Sequence, residues 1–369
     1  MGIGLVIPVL PTIMNELHLS GQMVGYLVAA FAMLQLLVSP IAGQWVDTIG
    51  RKKMIVIGLI IFSFSELLFG LGQNVKVLFV SRCLGGISAA FIMPAVTAFI
   101  ADITTVETRA KAMGYMSAAI NTGFIIGPGI GGFLAVFGTR VPFFVAAAFA
   151  LISAIISFLL LKEPERHKAG MIKEKRKGLS RIFNPLYIVA FLIIFISSFG
   201  LAAFDSLFSL FVDHKFGFTP KDIAIIISGG GIVGAIAQVI FFDKLAQKLG
   251  EIGLIRYCLI FSAILVFLAT LVHTYFYILL VTIFIFVGFD LMRPAFTSYL
   301  SKVAENEQGF VSGMNSMFTS IGNVMGPVLG GFVFDINLDY PFYTAAIFLV
   351  FGIIISYFWK PHHDIIEQE

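Results

Sequence analysis

Apolar runs of about 20 residues recur from one end of this chain to the other. Each is long enough to cross a hydrocarbon core roughly 30 Å thick as a helix. In lipid the backbone must satisfy its own hydrogen bonds, and a helix does so within one segment. The balance of residues fits: 59% are hydrophobic, 12% are charged, and mean hydropathy is +0.98 over 369 residues. A soluble domain is about a quarter charged, so a water-soluble globular protein is excluded. The expected fold class is an all-α polytopic membrane protein.

Reading the runs between polar breaks predicts twelve helices, near 1–12, 20–46, 53–72, 75–101, 109–136, 141–161, 185–211, 220–246, 253–273, 275–302, 308–335 and 340–359. The opening run, MGIGLVIPVLPTIM, is too short to span at 1.5 Å per residue. It reads as the outer part of a first helix truncated at its N-terminus, without the charged leader or cleavage site of a signal peptide. Ser20 and Thr219 stand where N-caps belong. Cys83 and Cys258 fall inside apolar runs as small hydrophobes and imply no disulfide framework.

Basic residues set the expected orientation. Of 24 Lys and Arg, eighteen fall on one side: Arg51, Lys52, Lys53, Arg109, Lys111, the run from Lys162 to Arg181, Lys244, Lys248, Arg256, Lys302 and Lys360. The other side holds four: Lys76, Arg140, Lys215 and Lys221. The first side is therefore read as cytoplasmic, with both termini inside. Residues 162–184 form a basic linker between two expected six-helix bundles, 1–161 and 185–369. This placement of charge suggests no nucleic-acid partner.

An internal repeat fixes the architecture further. GFIIGPGIGGF at 123–133 returns as GNVMGPVLGGF at 322–332. At an offset of 199, Gly123, Gly127, Pro128, Gly131 and Gly132 meet Gly322, Gly326, Pro327, Gly330 and Gly331. PAVT at 94–97 meets PAFT at 294–297, offset by 200. Six helices separate the copies, so the repeats run parallel, as in transporters whose halves are related by an axis along the membrane normal. Such folds place a substrate site between the halves and rock one against the other. Glycines four apart allow close helix approach, and Pro128 can bend its helix. The string is expected to form a sliding contact.

Between the second and third predicted helices stands GQWVDTIGRKK, residues 43–53. Asp47 ends a helix, where the dipole disfavours a carboxylate, so it needs a partner: Arg51 beyond the Gly50 turn, or another helix's N-terminus. Gly43, Asp47, Gly50 and Arg51 are the expected conformational latch. This G-x-x-x-D-x-x-G-R-K-K pattern resembles the signature of the major facilitator superfamily. Arg82 with Gly85-Gly86, and the G-x-x-x-G-P-x-x-G-G string, resemble its drug/proton antiporter branch. GLVIPVLP, VAAFAMLQ, YMSAAINTGFIIGPGIGGF, PKDIAIIISGGG and VGFDLMRPA are similar to NorA-type multidrug efflux pumps of Gram-positive bacteria. The resemblance covers essentially the whole chain and implies a major facilitator fold in a bacterial plasma membrane. The second-half counterpart of the latch, FFDKLAQKLGE, keeps Asp243 and Gly250 at a different spacing.

Ionisable groups at mid-membrane are costly and read as functional by default. Five qualify: Glu66, Arg82, Asp205, Asp290 and Arg293. Asp205 and Asp290 lie on corresponding helices of the second half, and Arg293 follows Asp290 on one helical face. A buried carboxylate can load a proton from one side and release it to the other, and Arg293 should make the two aspartates differ. The resemblance implies proton-coupling roles for Asp205, Asp290 and Arg82. The helix bearing Asp205 commonly carries Glu there in close relatives. Glu66 reads as structural.

Forty Phe and thirteen Met supply adaptable apolar surface. Candidate substrate contacts are Phe31, Gln35, Tyr115, Asn121, Phe124, Phe204 and Phe208, aromatic faces suited to flat or cationic amphiphiles. The expected function is export of hydrophobic or cationic drugs, quinolones and dyes among them, in exchange for protons. The competing reading is a narrower metabolite or sugar transporter with a wetter cavity. No HExxH, GxSxG or Cys/His metal cluster occurs in the sequence, so no enzyme, cofactor or metal is expected, and the chain is read as a monomer.

Overall fold

The computed structural model describes residues 2–164, 185–303 and 308–359. Most of the predicted linker, and Lys360 near the C-terminus, lie outside the described residues. What is described is helical, without a strand. The chain opens with α1 (Gly2–Val6), a 3-10 turn over Ile7–Val9, and α2 (Leu10–Glu16). Pro8 and Pro11 explain that irregularity, because each removes a backbone donor. Then follow α3 (Gly21–Ile49), α4 (Arg51–Leu71), α5 (Val75–Ile103), α6 (Val106–Leu134) and α7 (Val141–Leu160). The second half supplies α8 (Pro185–Phe216), α9 (Pro220–Leu271), α10 (Tyr275–Val303), α11 (Gln308–Phe334) and α12 (Tyr340–Tyr357). Among the described residues, ten of these helices are long and apolar enough to cross a membrane. The helices predicted at 220–246 and 253–273 are joined in α9, which leaves helical geometry only at Gly250 (φ 68°, ψ 164°). A left-handed φ of this kind suits glycine, which has no Cβ to clash.

The predicted caps are present. Ser20 Oγ accepts from the Met23 amide (3.2 Å). Thr219 Oγ accepts from the Asp222 amide, while the Asp222 carboxylate accepts from the Thr219 amide (2.9 Å). Two such reciprocal bonds satisfy donors that a helix start leaves free.

The described residues divide into two compact units. Unit one draws, among the described residues, on 2–19, 27–164 and 218–228. Within it α4 packs on α5 and α7, and α1 on α6 and α7. Its core includes Leu5, Ile13, Met54, Phe69, Phe91 and Phe143, all buried. Arg140 donates to the Gly70 and Gly72 carbonyls at the end of α4 (2.9 and 2.8 Å). Unit two draws, among the described residues, on 20–26, 185–217, 229–303 and 308–359. There α8 is the central element, packed on α10, α11 and α12. Its core is aromatic: Phe204 meets Phe208, Phe286 and Phe342, while Phe199 stacks on Phe348 with centroids 4.0 Å apart. Lys215 caps the end of α9 through the Thr270 carbonyl (2.7 Å) and pairs with Asp339 (2.6 Å).

Candidate functional site

The duplicated Gly/Pro string makes a three-helix junction in each unit. Gly123, Gly127, Pro128, Gly131 and Gly132 are all buried in α6. A Cβ on Gly4 of α1 would meet the Gly123 carbonyl at 3.0 Å and Pro128 Cδ at 3.1 Å. One on Gly131 would overlap the Leu5 carbonyl, and one on Gly132 would overlap Ala224 at the start of α9. In unit two the equivalent glycines grip α8 and the start of α3. A Cβ on Gly326 would come within 2.7 Å of the Phe199 carbonyl, and one on Gly331 within 2.5 Å of the Gly21 carbonyl. The start of α3 is also fixed by Asp335, whose carboxylate accepts from the Gly21 and Gln22 amides (2.6 and 3.0 Å).

The α3–α4 hairpin holds the expected latch residues. Gly50 turns the chain at φ 118°. Arg51 pairs with exposed Asp47 (3.1 Å) and with Asp102 at the end of α5 (2.7 Å). Glu163, just past α7, accepts from the Arg51 and Lys52 amides (2.5 and 3.0 Å) and so caps α4. Gly43 is half-buried, with open space where a Cβ would stand.

Arg82 on α5 faces Glu66 on α4, and the two interact electrostatically. Glu66 is 1% exposed, and the Arg82 guanidinium lies over the Phe69 ring, 4.1 Å from its centroid. Beside them Ser65 and Ser81 exchange hydrogen bonds with each other's carbonyls (2.8 Å each). Gly85 and Gly86, one turn on, let Phe31 of α3 lie directly against α5. Phe31 and Gln35 are half-buried, whereas Tyr115, Asn121 and Phe124 on α6 are exposed.

In unit two, Arg293 acts electrostatically on both Asp205 and Asp290. Three charges from two helices, α8 and α10, thus share one locality. The Asp205 side chain is exposed although its neighbours Phe204 and Phe208 are fully buried. The carboxylate therefore turns away from the aromatic core those rings fill. Asp290 is half-buried, against Gly234 of α9, where any side chain would collide with the carboxylate. Arg293 also lines a cavity of about 280 Å³ among α8, α10 and α11, together with Ser197, Thr297, Asn315, Thr319 and Asn323. Asn315, Thr319 and Asn323 were missed in the sequence reading, though their spacing of four marks one helix face.

A bundle of membrane-crossing helices, internally duplicated and holding charged side chains within its apolar spans, has the architecture of a membrane transporter. The sequence profile of the Major Facilitator Superfamily matches residues 1–313 and again 190–369; the chain belongs to that superfamily. It is 68% identical to Multidrug resistance protein 1 of Bacillus subtilis (strain 168), across 98% of this chain and 94% of that one. It is 43% identical to the quinolone resistance protein NorA of Staphylococcus aureus (strain COL), across 100% and 95%. Among solved structures, an inward-facing, unoccupied bacterial homologue of the human lysosomal transporter Spinster aligns with a TM-score of 0.80 at 17% identity, over 97% and 94% of the two chains. The nucleoside transporter NupG aligns with a TM-score of 0.78 at 14% identity, over the same shares.

Proposed function

We propose that this protein is a proton-coupled exporter of hydrophobic and cationic drugs, quinolones and dyes included, working by alternating access in a bacterial plasma membrane. The observation that carries the reading is the locality shared by Asp205, Asp290 and Arg293. A proton or a cationic substrate on one of these carboxylates raises the cost of the other, and that exclusion is what exchange requires. The relatives named for multidrug and quinolone resistance support the cargo class. In this reading the halves 1–161 and 185–369 are the moving bodies, the Gly/Pro junctions are their bearings, and Asp47 and Arg51 belong to a latch on the inner face. Arg82 assists the coupling. Phe31, Gln35, Tyr115, Asn121, Phe124, Phe204 and Phe208 are the proposed substrate contacts, the last two once their rings leave the core. The protein acts as a monomer with both termini inside.

The polar lining of the cavity beside Arg293 favours a second reading, a transporter of a narrower, more hydrophilic metabolite. Purified protein in liposomes under an imposed pH gradient, offered quinolones, ethidium and sugars, separates the two. Export of the dyes and quinolones supports the first; movement of sugars alone supports the second. Asp290→Asn should fold and lose gradient-driven export. Undiminished dye efflux in that variant would remove Asp290 from the coupling.

A further inference from the structure

A second cavity, of about 670 Å³, opens in unit two where α9 breaks at Gly250. Leu249, Ile252 and Val303 give it apolar walls, and Arg256, Tyr299, Lys302 and Trp359 bring polar atoms to it. The polar groups are unevenly matched. Glu251 is bonded to Lys302 and to Ser298 Oγ (3.0 Å), so the Lys302 charge is already answered. Arg256 is not. Its guanidinium bonds the hydroxyl and carbonyl oxygens of Ser356 (3.2 and 2.7 Å) and lies against the Tyr357 ring, with no carboxylate partner among the described residues.

Two further buried donors lie beside it. Tyr299 is 5% exposed and Trp359 is 4% exposed. Their rings meet edge to face, 4.7 Å between centroids, yet the Tyr299 hydroxyl and the Trp359 indole nitrogen make no aligned hydrogen bond. Trp359 Nε1 approaches the Tyr299 oxygen, and a phenol that accepts there still has its own O–H to give. Buried donors are almost always matched, so this pair lacks an acceptor. One uncompensated positive charge and one spare hydroxyl donor, set in mostly apolar walls, suit an anionic headgroup joined to a greasy body.

The mouth lies at helix ends, where α9 breaks at Gly250, α10 finishes at Val303 and α12 at Tyr357. Tyr257, Tyr357 and Phe358 are exposed beside it, as aromatic side chains are at the lipid–water boundary. Lys244 and Lys248 precede the break on the same basic side. Basic pockets between helix ends on the inner face attract anionic lipid headgroups. We infer that this cavity binds the phosphate of an anionic phospholipid from the inner leaflet, with Arg256 holding the charge, Tyr299 donating to its oxygens and Trp359 orienting the Tyr299 hydroxyl. The site is separate from the Asp205–Asp290–Arg293 locality and does not depend on what the protein exports.

The chain has two tryptophans, Trp45 and Trp359, so a Trp45→Phe background makes Trp359 the sole indole reporter. Full-length protein in neutral detergent is titrated with dioctanoyl phosphatidylglycerol, dioctanoyl phosphatidylcholine or inorganic phosphate, following Trp359 emission. The expected result is tighter binding of phosphatidylglycerol than phosphatidylcholine by about tenfold, no displacement by inorganic phosphate, and a loss of roughly tenfold in Tyr299→Phe and in Arg256→Gln. Tyr299→Phe removes a hydroxyl that makes no aligned hydrogen bond, so its melting temperature should change little, and it carries the test even if Arg256→Gln folds poorly. Equal binding of the two lipids, or unchanged phosphatidylglycerol affinity in Tyr299→Phe, overturns the assignment. Full displacement by inorganic phosphate overturns the lipid as occupant in favour of a free anion.

Discussion

Replacing Gly326 by alanine should loosen unit two, and the extent can be worked from the packing. The new methyl would stand 2.7 Å from the Phe199 carbonyl oxygen, 2.8 Å from the Ala203 amide nitrogen and 3.1 Å from Ala202 Cβ. The first two are backbone atoms of α8, so no side chain can swing aside. Reaching ordinary contact requires α8 to retreat by about 0.7 Å. Alanine in a helix gains about 0.5–1 kcal/mol over glycine, and overpacking costs about 1–3 kcal/mol, leaving a net loss of up to about 2.5 kcal/mol. At about 2.1 cal/mol/K per residue, this lowers the melting temperature by up to about 3 °C. Gly313→Ala, on the same helix with nothing within 4 Å of its Cβ, is the control and should melt level with the parent or about 1 °C above it. The assay is a thermal melt of purified protein in one detergent, with transport measured in parallel. Because α8 also carries Asp205, gradient-driven transport should fall further in Gly326→Ala than its melting temperature suggests. A Gly326→Ala protein that melts as high as Gly313→Ala refutes the junction.

Removing the Glu163 cap by Glu163→Ala should cost about 0.5–1 kcal/mol and speed hydrogen exchange at the start of α4; unchanged exchange there would mean the cap contributes nothing. Asp335→Ala should raise exchange at Gly21 and Gln22 for the same reason, and continued protection would show that α3 is held by packing alone. Arg82→Met removes the positive charge that acts on buried Glu66 and should lower the melting temperature. Adding Glu66→Gln should recover much of that loss, and a double variant no better than the single one would argue that the two side chains are independent.

Much of the fold could be read from residue order, because membrane-crossing helices announce themselves by local composition. The helix predicted at 141–161 is found at Val141–Leu160, and that at 75–101 at Val75–Ile103. The repeat was equally plain, since Gly and Pro at fixed offsets carry backbone geometry that few other residues can adopt. Local pairs could also be anticipated: Asp47 and Arg51 are one turn apart across the Gly50 bend. Contacts formed by distant residues could not. Asp335 reaches the start of α3 across 314 positions, and Glu163 reaches Arg51 across 112. Neither carboxylate differs in sequence from a solvated loop residue. Glu66 was read as structural and Arg82 as functional, with nothing in their spacing to show that α4 and α5 set them face to face. The polar cavity was overlooked for a different reason: Asn315, Thr319 and Asn323 are short, uncharged side chains scattered through an apolar run, and only the helical period collects them on one face. The split of α9 was expected between 246 and 253; a single residue, Gly250, is enough to make it.

The Gly/Pro junctions have one more consequence. Residues 20–26, from the first half of the polypeptide, belong to the unit built mainly from the second, and residues 218–228 are lent in the opposite direction. Gly25 thus packs on Pro327 within one unit, and Gly132 on Ala224 within the other. Alanine at Gly25 or at Gly132 would therefore press on a segment remote from it in the sequence, and a single methyl would disturb packing that no local stretch controls.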